Sequence, residues 1–328
     1  MRVLVTGAGG FVGSALVRQL VAAGHKVCAI IRNPDTKRSG LNRIEHPALK
    51  YSVVGDVNAQ TNWADSIEGA EVVVHLAARV HVMRQRSPDP LSEYRSTNVF
   101  GTRRLAEAAV QASTRRFIFV SSAGVHGMAT HNGQRFCETD EPRPHDAYTI
   151  SKLEAELLLK ELAVKSGMEY VILRPPLIYG PGNPGNFFRL IQFIDRGIPL
   201  PLASIRNDRS LIYLGNMVDA ILICLSHPGA ANKIYLVSDG EDISTPELIT
   251  RLAHAMGKPT PLFPCPAVLL SFVGRLLGKT DEISRLLDSL AVDSSKIRSE
   301  LGWKPSASLD QGLVETARWF LQTRAAPS

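Results

Sequence analysis

The first turn of the chain, Thr6-Gly7-Ala8-Gly9-Gly10-Phe11-Val12-Gly13, decides the fold. It directly follows a short apolar run at residues 2–5 and opens a helical pattern that continues to about residue 23. Glycine is needed where a strand turns tightly into a helix, where backbone approaches a pyrophosphate, and where the helix packs closely on the strand. Gly7, Gly10 and Gly13 are predicted to take these roles, and with Phe11 and Val12 they form a candidate dinucleotide-binding turn. The unpaired N–H groups of the helix N-terminus would face the anion.

Strand and helix patterns alternate along the rest of the first half of the chain. Further apolar runs lie at residues 27–31, 51–54, 71–77, 116–122 and 170–174, with helical stretches near 60–67, 90–112 and 147–166. Continuous apolar strands that alternate with helices predict a parallel sheet buried on both faces. Short crossovers and their handedness favour an α/β fold with a Rossmann-type doubly wound parallel sheet.

The domain boundary is predicted at residue 174. Residues 1–174 would form the dinucleotide-binding domain with the catalytic residues, and residues 175–328 mostly a smaller C-terminal substrate-binding lobe, with some segments returning to the sheet. Seven prolines and glycines crowd residues 175–185, which predicts loop rather than helix or strand. Thr245 is predicted as an N-cap with Pro246 at the first helical position. Other predictions are helices near 186–196, 216–226 and 246–256, a strand near 233–238, and a packed lobe helix, rather than a membrane-surface contact, at 267–277.

Composition limits the class of protein. The chain has 328 residues, of which 45% are hydrophobic and 21% charged, the balance of a globular protein. Its formal charge of +6 suits an anionic ligand, but no basic run typical of nucleic-acid binding occurs. The four cysteines form no CxxC pair, which argues against a metal site or a redox dithiol. The amino terminus lacks a secretory signal pattern and no window reaches the ~18 consecutive apolar residues of a membrane span, so we expect a cytoplasmic protein.

The tip of the second predicted strand bears on the choice of cofactor. An acidic residue there bonds the ribose 2′-OH of NAD, whereas an arginine accommodates the 2′-phosphate of NADP. Here Arg32 occupies the tip. Residues up to 43 add three cations and one acid, namely Lys37, Arg38, Arg43 and Asp35. This pattern favours NADP(H), because a planar guanidinium matches the charge of a phosphate. NAD is the alternative cofactor, and a solvated basic loop is the alternative explanation for the cations.

A tyrosine and a lysine stand four residues apart in Tyr148-Thr-Ile-Ser-Lys152, at the start of a long helical stretch. Residues four apart lie on one helix face, about one turn from each other. Free tyrosine has a pKa of ~10, and a cation held close is expected to move that pKa toward neutrality, where the hydroxyl can exchange protons. Ser122, at the end of an apolar run, precedes this pair and completes a candidate catalytic set.

These motifs together resemble the extended short-chain dehydrogenase/reductases. Their order is similar to the nucleotide-sugar epimerase/dehydratase branch, which includes UDP-glucose 4-epimerases and UDP-4-keto-sugar reductases. The motifs are TGxxGxxG, Gly55-Asp56-Val57, His75-Leu76-Ala77-Ala78, Asn98, the Ser122 segment SSAGVHG, YxxxK, LRPPLIYGPG at 173–182 and Leu301-Gly302-Trp303-Lys304-Pro305. The resemblance therefore covers nearly the whole chain.

The resemblance implies roles for residues around the cofactor. Asp56 and Val57 would hold the adenine, and Ala77 would line the dinucleotide path. Lys152 would bond the nicotinamide ribose, next to Tyr148.

It also implies roles around the substrate, a UDP-linked sugar. Ser122 would bond the substrate oxygen and Tyr148 would exchange its proton. Arg209 matches the arginine that meets the UDP pyrophosphate, with an exposed salt bridge as the alternative. Asn186 is a weaker match for a diphosphate ligand, with a helix N-cap as the alternative. His126 stands where this family often has tyrosine, and it would either contact the sugar or serve the structure.

Three functions stay under consideration. The leading interpretation is an NADPH-dependent reductase of the 4-keto group of a UDP-linked deoxysugar, in surface polysaccharide biosynthesis. The alternative is a UDP-hexose 4-epimerase, acting on glucose or N-acetylglucosamine, that retains NAD. A non-catalytic dinucleotide-binding sensor is disfavoured by the intact catalytic set. Dehydration is not expected, because Ala123 and Gly124 stand where dehydratases carry an Asp-Glu pair. The sugar, the C4 configuration and the assembly, a homodimer included, stay open.

Overall fold

The computed structural model of the protein describes residues 1–33, 44–80, 89–131, 133–276 and 280–325. The strands are β1 (Arg2–Thr6), β2 (Lys26–Ile31), β3 (Leu49–Val53), β4 (Val72–His75), β5 (Arg116–Val120), β6 (Glu169–Arg174), β7 (Leu177–Tyr179), β8 (Arg209–Tyr213), β9 (Lys233–Leu236) and β10 (Asp242–Ile243). The helices are α1 (Phe11–Ala22), α2 (Ala64–Ile67), α3 (Pro90–Arg95), α4 (Thr102–Gln111), α5 (Ala147–Ser166), α6 (Asn186–Asp195), α7 (Leu214–Ser226), α8 (Thr245–Ala255), α9 (Ala267–Leu276), α10 (Thr280–Leu287), α11 (Ser295–Leu301) and α12 (Leu309–Ala325).

Seven parallel strands form the main sheet in the order β3-β2-β1-β4-β5-β6-β9. The order reverses between β1 and β4, where Thr6 pairs with His75. In an open parallel sheet the ligand crevice lies at such a reversal, beyond the carboxyl ends of the strands. The predicted Rossmann-type fold is confirmed, and the crevice falls at the glycine-rich turn.

The central strands of the main sheet are buried on both faces, because their alternate residues enter different hydrophobic clusters. Val3 and Val5 of β1 pack with Leu16 of α1 and Ile221 of α7 on one face. Leu4 packs on the other face, in a cluster that includes Leu105, Phe117 and Leu159. Continuous apolar strands are what a doubly covered parallel sheet requires.

The smaller lobe is built on a three-stranded sheet in the order β10-β8-β7. Its core includes Phe187 of α6, Leu211 of β8, Leu252 of α8 and Leu313 of α12. The chain after Arg174 is divided between the lobe and the main sheet, since β9 pairs with β6 and α7 packs against α1.

Four local expectations need correction. The Pro- and Gly-rich stretch 175–185 was expected to be loop, but it contains β7, which pairs in parallel with β8. The stretch 90–112 is interrupted by a π-helical segment, Ser96–Gly101, between α3 and α4. The N-cap of α8 is Ser244, whose hydroxyl accepts from Glu247 N–H, so Pro246 is the second helical residue.

The fourth correction concerns α9, which was expected to be a packed helix. Leu270 packs against the lobe core, and Gly274 lies against Ile283 of α10. The opposite side of α9 is exposed, with Val268, Leu269, Phe272 and Leu276 in solvent. None of the described helices is long and apolar enough to cross a membrane.

Candidate active site

The turn after β1 requires glycine for steric reasons. Gly7 has a φ of +65°, and a Cβ there would lie 2.9 Å from the Ala77 nitrogen. A Cβ at Gly13 would lie 2.1 Å from the Gly7 oxygen, which no larger residue can accommodate. Gly10 caps α1 without a side chain, so backbone N–H groups of the first helical turn point into the crevice. This cradle fits the pyrophosphate of a dinucleotide.

His75 ties the two central strands to α4 beneath this turn. Its Nδ1 lies 2.7 Å from Thr6 Oγ1, and its Nε2 lies 2.9 Å from Thr102 Oγ1. Because the Thr102 hydroxyl donates to the Asn98 carbonyl at 2.6 Å, its oxygen accepts from Nε2–H and the Thr6 hydroxyl donates to Nδ1. Burial, with the nearby Lys152 charge, lowers the pKa of His75 to about 3. The imidazole is therefore neutral and its tautomer is fixed.

Asn98 connects the loop after β4 to α5, the helix that carries Tyr148 and Lys152. It lies in the π-helical segment, and its Oδ1 accepts from Arg79 N–H at 2.8 Å. Its Nδ2 donates to the Arg79 carbonyl at 3.1 Å and to Ser151 Oγ at 2.9 Å. Ser151 Oγ in turn donates to the Tyr148 carbonyl at 2.7 Å. The sequence marked Asn98 only as a family motif, and this contact role was missed because a π-helical register does not show in hydrophobic spacing.

The start of α5 places the tyrosine and the lysine. Asp146 is the N-cap, and its Oδ1 accepts from Thr149 N–H at 2.8 Å in a capping box. Tyr148 therefore lies in the first turn and Lys152 one turn later on the same face. Lys152 is 2% exposed, and its Nζ lies 4.0 Å from the centroid of the Phe119 ring.

The electrostatics of this pair differ from the expectation. Burial lowers the pKa of Lys152 to about 7, although the Glu156 carboxylate opposes this change. Burial also raises the pKa of Tyr148, and Asp146 and Tyr94 raise it further. The expected lowering of the Tyr148 pKa by a nearby cation is wrong for this structure, because burial has the largest effect and the Asp146 carboxylate acts in the same direction. The Tyr148 hydroxyl is thus protonated here.

Ser122 begins a 3-10 turn, Ala123–His126, at the end of β5. Its Oγ accepts from Gly124 N–H at 3.1 Å, which leaves the hydroxyl proton for another acceptor. The neighbouring Ser121 hydroxyl is buried and has no hydrogen-bond partner among the described residues. Ser122 and the end of β6 are adjacent, because Ala123 N–H donates to the Pro175 carbonyl at 2.8 Å.

His126 lies in the core, where it contacts other protein groups. It is 2% exposed, and its Nε2 lies 2.8 Å from Nη1 of Arg174. Its ring stacks on Phe136 with centroids 5.4 Å apart. Burial and the Arg174 charge lower the pKa of His126 to about 4. These contacts favour the structural role over the sugar contact for this residue.

The two predicted diphosphate ligands lie in the lobe. Arg209 begins β8, is partly buried, and donates to the Asp288 carbonyl at 2.9 Å. Asn186 is exposed at the first position of α6, and the N-cap is Gly185 rather than Asn186. The buried asparagine of this loop is Asn183, which donates to the Ile178 carbonyl at 2.5 Å and was missed by sequence reasoning. Both ligand assignments stay predictions.

At the adenine end, the two predicted cofactor ligands contact each other. Arg32 Nε lies 3.0 Å from Asp56 Oδ1, and their side chains are 76% and 74% exposed. Val57 packs against the π-helical segment, since a Cβ at Gly101 would lie 2.8 Å from Val57 Cγ1. The other predicted cations of this region, Lys37, Arg38 and Arg43, lie outside the described residues. Within the described ranges, no three His, Cys, Asp or Glu side chains are grouped as metal ligands.

The fold and this site define an NAD(P)-dependent enzyme of the extended short-chain dehydrogenase/reductase type. The chain belongs to the NAD dependent epimerase/dehydratase family, whose sequence model matches residues 3–238. The predicted family and enzyme class are therefore confirmed.

Named relatives cover almost the whole chain. The UDP-glucose 4-epimerase of Vibrio cholerae is 43% identical over 322 residues, which are 98% of this chain and 95% of that protein. The UDP-glucose 4-epimerase of Mycolicibacterium smegmatis is 30% identical over 98% of each chain. Among solved structures, MoeE5 in complex with UDP-glucose and NAD is 29% identical, with a TM-score of 0.78 over 99% of this chain and 100% of that chain.

Proposed function

We propose that the protein is a 4-epimerase of a UDP-linked hexose that retains NAD. The observation that carries this proposal is the 43% identity to the Vibrio cholerae UDP-glucose 4-epimerase along nearly the full length of both chains. The candidate catalytic set of Ser122, Tyr148 and Lys152 is intact. This reverses the order of the two leading interpretations, because neither the named relatives nor the neighbour bound to UDP-glucose and NAD favours the reductase.

The residues present suit this reaction. A bound nicotinamide supplies the removal and return of hydride at C4 of the sugar. Tyr148 would take the proton of the 4-hydroxyl and give it back, and Ser122 would hold the same oxygen. Tyr148 can take this proton only as the phenolate. Burial favours the neutral hydroxyl, so the phenolate would need nearby positive charge, and Lys152 is a cation that this chain supplies. The Gly7–Gly13 turn would hold the pyrophosphate, with Asp56 and Val57 at the adenine.

One observation supports the 4-keto-sugar reductase as a second candidate. Arg32 stands at the tip of β2, where NADP-binding proteins carry an arginine, and no acid replaces it. Its partner Asp56 is exposed, so the ion pair is weak and the guanidinium is free to turn toward a 2′-phosphate. In either case we propose a cytoplasmic enzyme that supplies sugars for surface polysaccharide.

The nucleotide that the protein releases on denaturation separates the two candidates. An epimerase that retains its cofactor should release about one NAD per chain, and it should interconvert UDP-glucose or UDP-N-acetylglucosamine with the C4 epimer without added cofactor. A reductase should release little nucleotide, bind NADPH more tightly than NADH, and consume it with a 4-keto UDP-sugar. Tyr148→Phe serves as the control for turnover. A protein with neither activity would contradict both candidates.

A further inference from the structure

A buried ion pair lies directly behind the catalytic residues. Glu156 is one turn after Lys152 on α5 and is 0% exposed. Arg174, at the end of β6, donates Nε to Glu156 Oε1 at 3.1 Å and Nη2 to Oε2 at 2.5 Å. A hydrophobic pair of similar volume would usually be as stable at such a position. Stability alone therefore does not account for the pair.

Each member of the pair also contacts or faces a part of the site. The Glu156 carboxylate raises the pKa of Lys152 against the effect of burial. On the other side, Arg174 Nη1 lies 2.8 Å from His126 Nε2. A guanidinium can only donate, so Nε2 accepts and the His126 ring carries its proton on Nδ1. His126 ends the 3-10 turn that Ser122 begins, and Arg174 therefore braces that turn.

We propose that Glu156, held by Arg174, is a positioning residue that supports Lys152 one turn away on α5 and keeps the Ser122 turn in place. The pair would join the two sides of the site, since α5 carries Lys152 and Tyr148 while the turn after β5 carries Ser122. This inference deepens the proposed function and uses its assignment of Lys152 to the nicotinamide ribose.

The ionisable groups around Lys152 set the direction of the expected change. Glu156 lies on the same helix, and Tyr148 is protonated one turn before it. His75, on β4, is neutral because of burial. Arg174, on β6, pairs with Glu156 and offsets part of its charge. Replacing Glu156 alone would remove the carboxylate and leave the Arg174 cation unpaired, and both changes should lower the Lys152 pKa.

The test is the pH dependence of NADH affinity, followed by fluorescence from pH 5.5 to 9 with wild type and Glu156→Gln, each first freed of any retained nucleotide. Above both pKa values, the charged fraction of Lys152 falls about tenfold for each unit by which its pKa drops. The variant should therefore match wild type near pH 5.5 and lose NADH affinity at a lower pH than wild type does, so that the midpoint of affinity against pH shifts downward. Glu156→Asp, which keeps the charge, should restore most of the profile.

Glu154→Gln is the matched control. Glu154 lies two residues earlier on α5, and it pairs with Arg95 in a partly exposed contact. Residues two apart do not share a helix face. Its profile should therefore follow wild type, and a shift equal to that of Glu156→Gln would overturn the proposal.

A second variant keeps the test decisive if Glu156→Gln does not fold. The double substitution Glu156→Leu with Arg174→Met replaces both charges by apolar groups, which commonly preserves stability. If the double variant folds and keeps the wild-type midpoint of NADH affinity against pH, the pair is only structural and the proposal is wrong. A downward shift supports it. Because affinity is measured without substrate, missing epimerase activity in wild type would bear on the proposed function alone.

Discussion

Two arginine–carboxylate pairs in this protein have the same chemistry and opposite surroundings. Arg174 and Glu156 are 3% and 0% exposed and form a bidentate contact one turn after Lys152 on α5. Arg32 and Asp56 are 76% and 74% exposed and meet just beyond the carboxyl end of β2. A buried pair must keep its geometry, since losing either member leaves an unpaired charge in the core. An exposed pair is screened by water and salt, so it can exchange partners. The buried pair is therefore suited to hold the elements around it in place, and the exposed pair is suited to rearrange when a ligand binds.

The largest effect should come from breaking the buried pair. Glu156→Ala leaves the Arg174 guanidinium buried without its carboxylate and should lower the free energy of unfolding by ~3–5 kcal/mol. Asp56→Ala removes the equivalent carboxylate from the exposed pair and should cost no more than ~0.5–1 kcal/mol. Urea unfolding of the three proteins measures both values. Similar losses at the two positions would remove the distinction between the pairs.

The second-largest effect is expected on turnover, when the hydroxyl of Tyr148 is removed. Tyr148→Phe removes the hydroxyl and keeps the ring that packs edge-on against Tyr94. Folding and cofactor binding should survive while kcat falls ~10²-fold or more, which is the usual scale for general acid–base catalysis. Steady-state kinetics, with nucleotide content and circular dichroism as controls, check this outcome. Near wild-type kcat would show that another group moves the proton.

The third effect is a pH dependence of the free energy of unfolding, which we expect from the buried, neutral His75. The pKa of His75 is about 3 in the folded protein, below its unfolded value of ~6.5. Between these values the unfolded chain binds the extra proton, so stability falls as the pH falls. The imidazole alone should contribute ~1.4 kcal/mol per pH unit, or ~2 kcal/mol between pH 6.5 and 5. His75→Gln should flatten the measured slope, whereas the exposed control His254→Gln should leave it unchanged.

The smallest effect is expected at the exposed pair. Arg32→Ala should change the free energy of unfolding by less than ~0.5 kcal/mol and should leave NADH affinity nearly unchanged. If the reductase is the correct function, the same variant should weaken NADPH binding ~10–150-fold, the value of a charge-assisted hydrogen bond of ~1.5–3 kcal/mol. Titrations at low and high salt measure both cofactors. A large loss for NADPH that shrinks with salt would bring the reductase back to first place.

Most of the main sheet could be predicted from the sequence, because most of its strands are apolar runs that alternate with helical patterns. The predicted helix beginning at Phe11 and the observed α1 (Phe11–Ala22) agree, as do the stretch 147–166 and α5. Short elements stabilised by distant partners were missed. β7 has three residues within a Pro- and Gly-rich stretch, and it is a strand because β8 supplies its hydrogen bonds.

The candidate site divides in the same way, into features set by local spacing and features set by distant neighbours. The spacing of Gly7, Gly10 and Gly13 and that of Tyr148 and Lys152 are local patterns, so the helix period and turn geometry are enough to predict their placement. The contacts of Asn98 and the ionisation of Tyr148 depend on neighbours from other elements. Hydrophobic spacing carries no information about those neighbours, and the expectation for the Tyr148 pKa was wrong for this reason.

The amino-acid sequence by itself determined the alternation of strands and helices, the glycine turn and the tyrosine–lysine face, because each depends on residues within one or two turns of chain. Only the tertiary structure decided which polar groups share a buried environment. Thr6 and His75 are 69 residues apart in the chain, and Arg174 is 48 residues from His126. Folding brings these groups together and removes water, and the loss of water sets their protonation states. The charge state of the candidate site is therefore a property of the packed molecule.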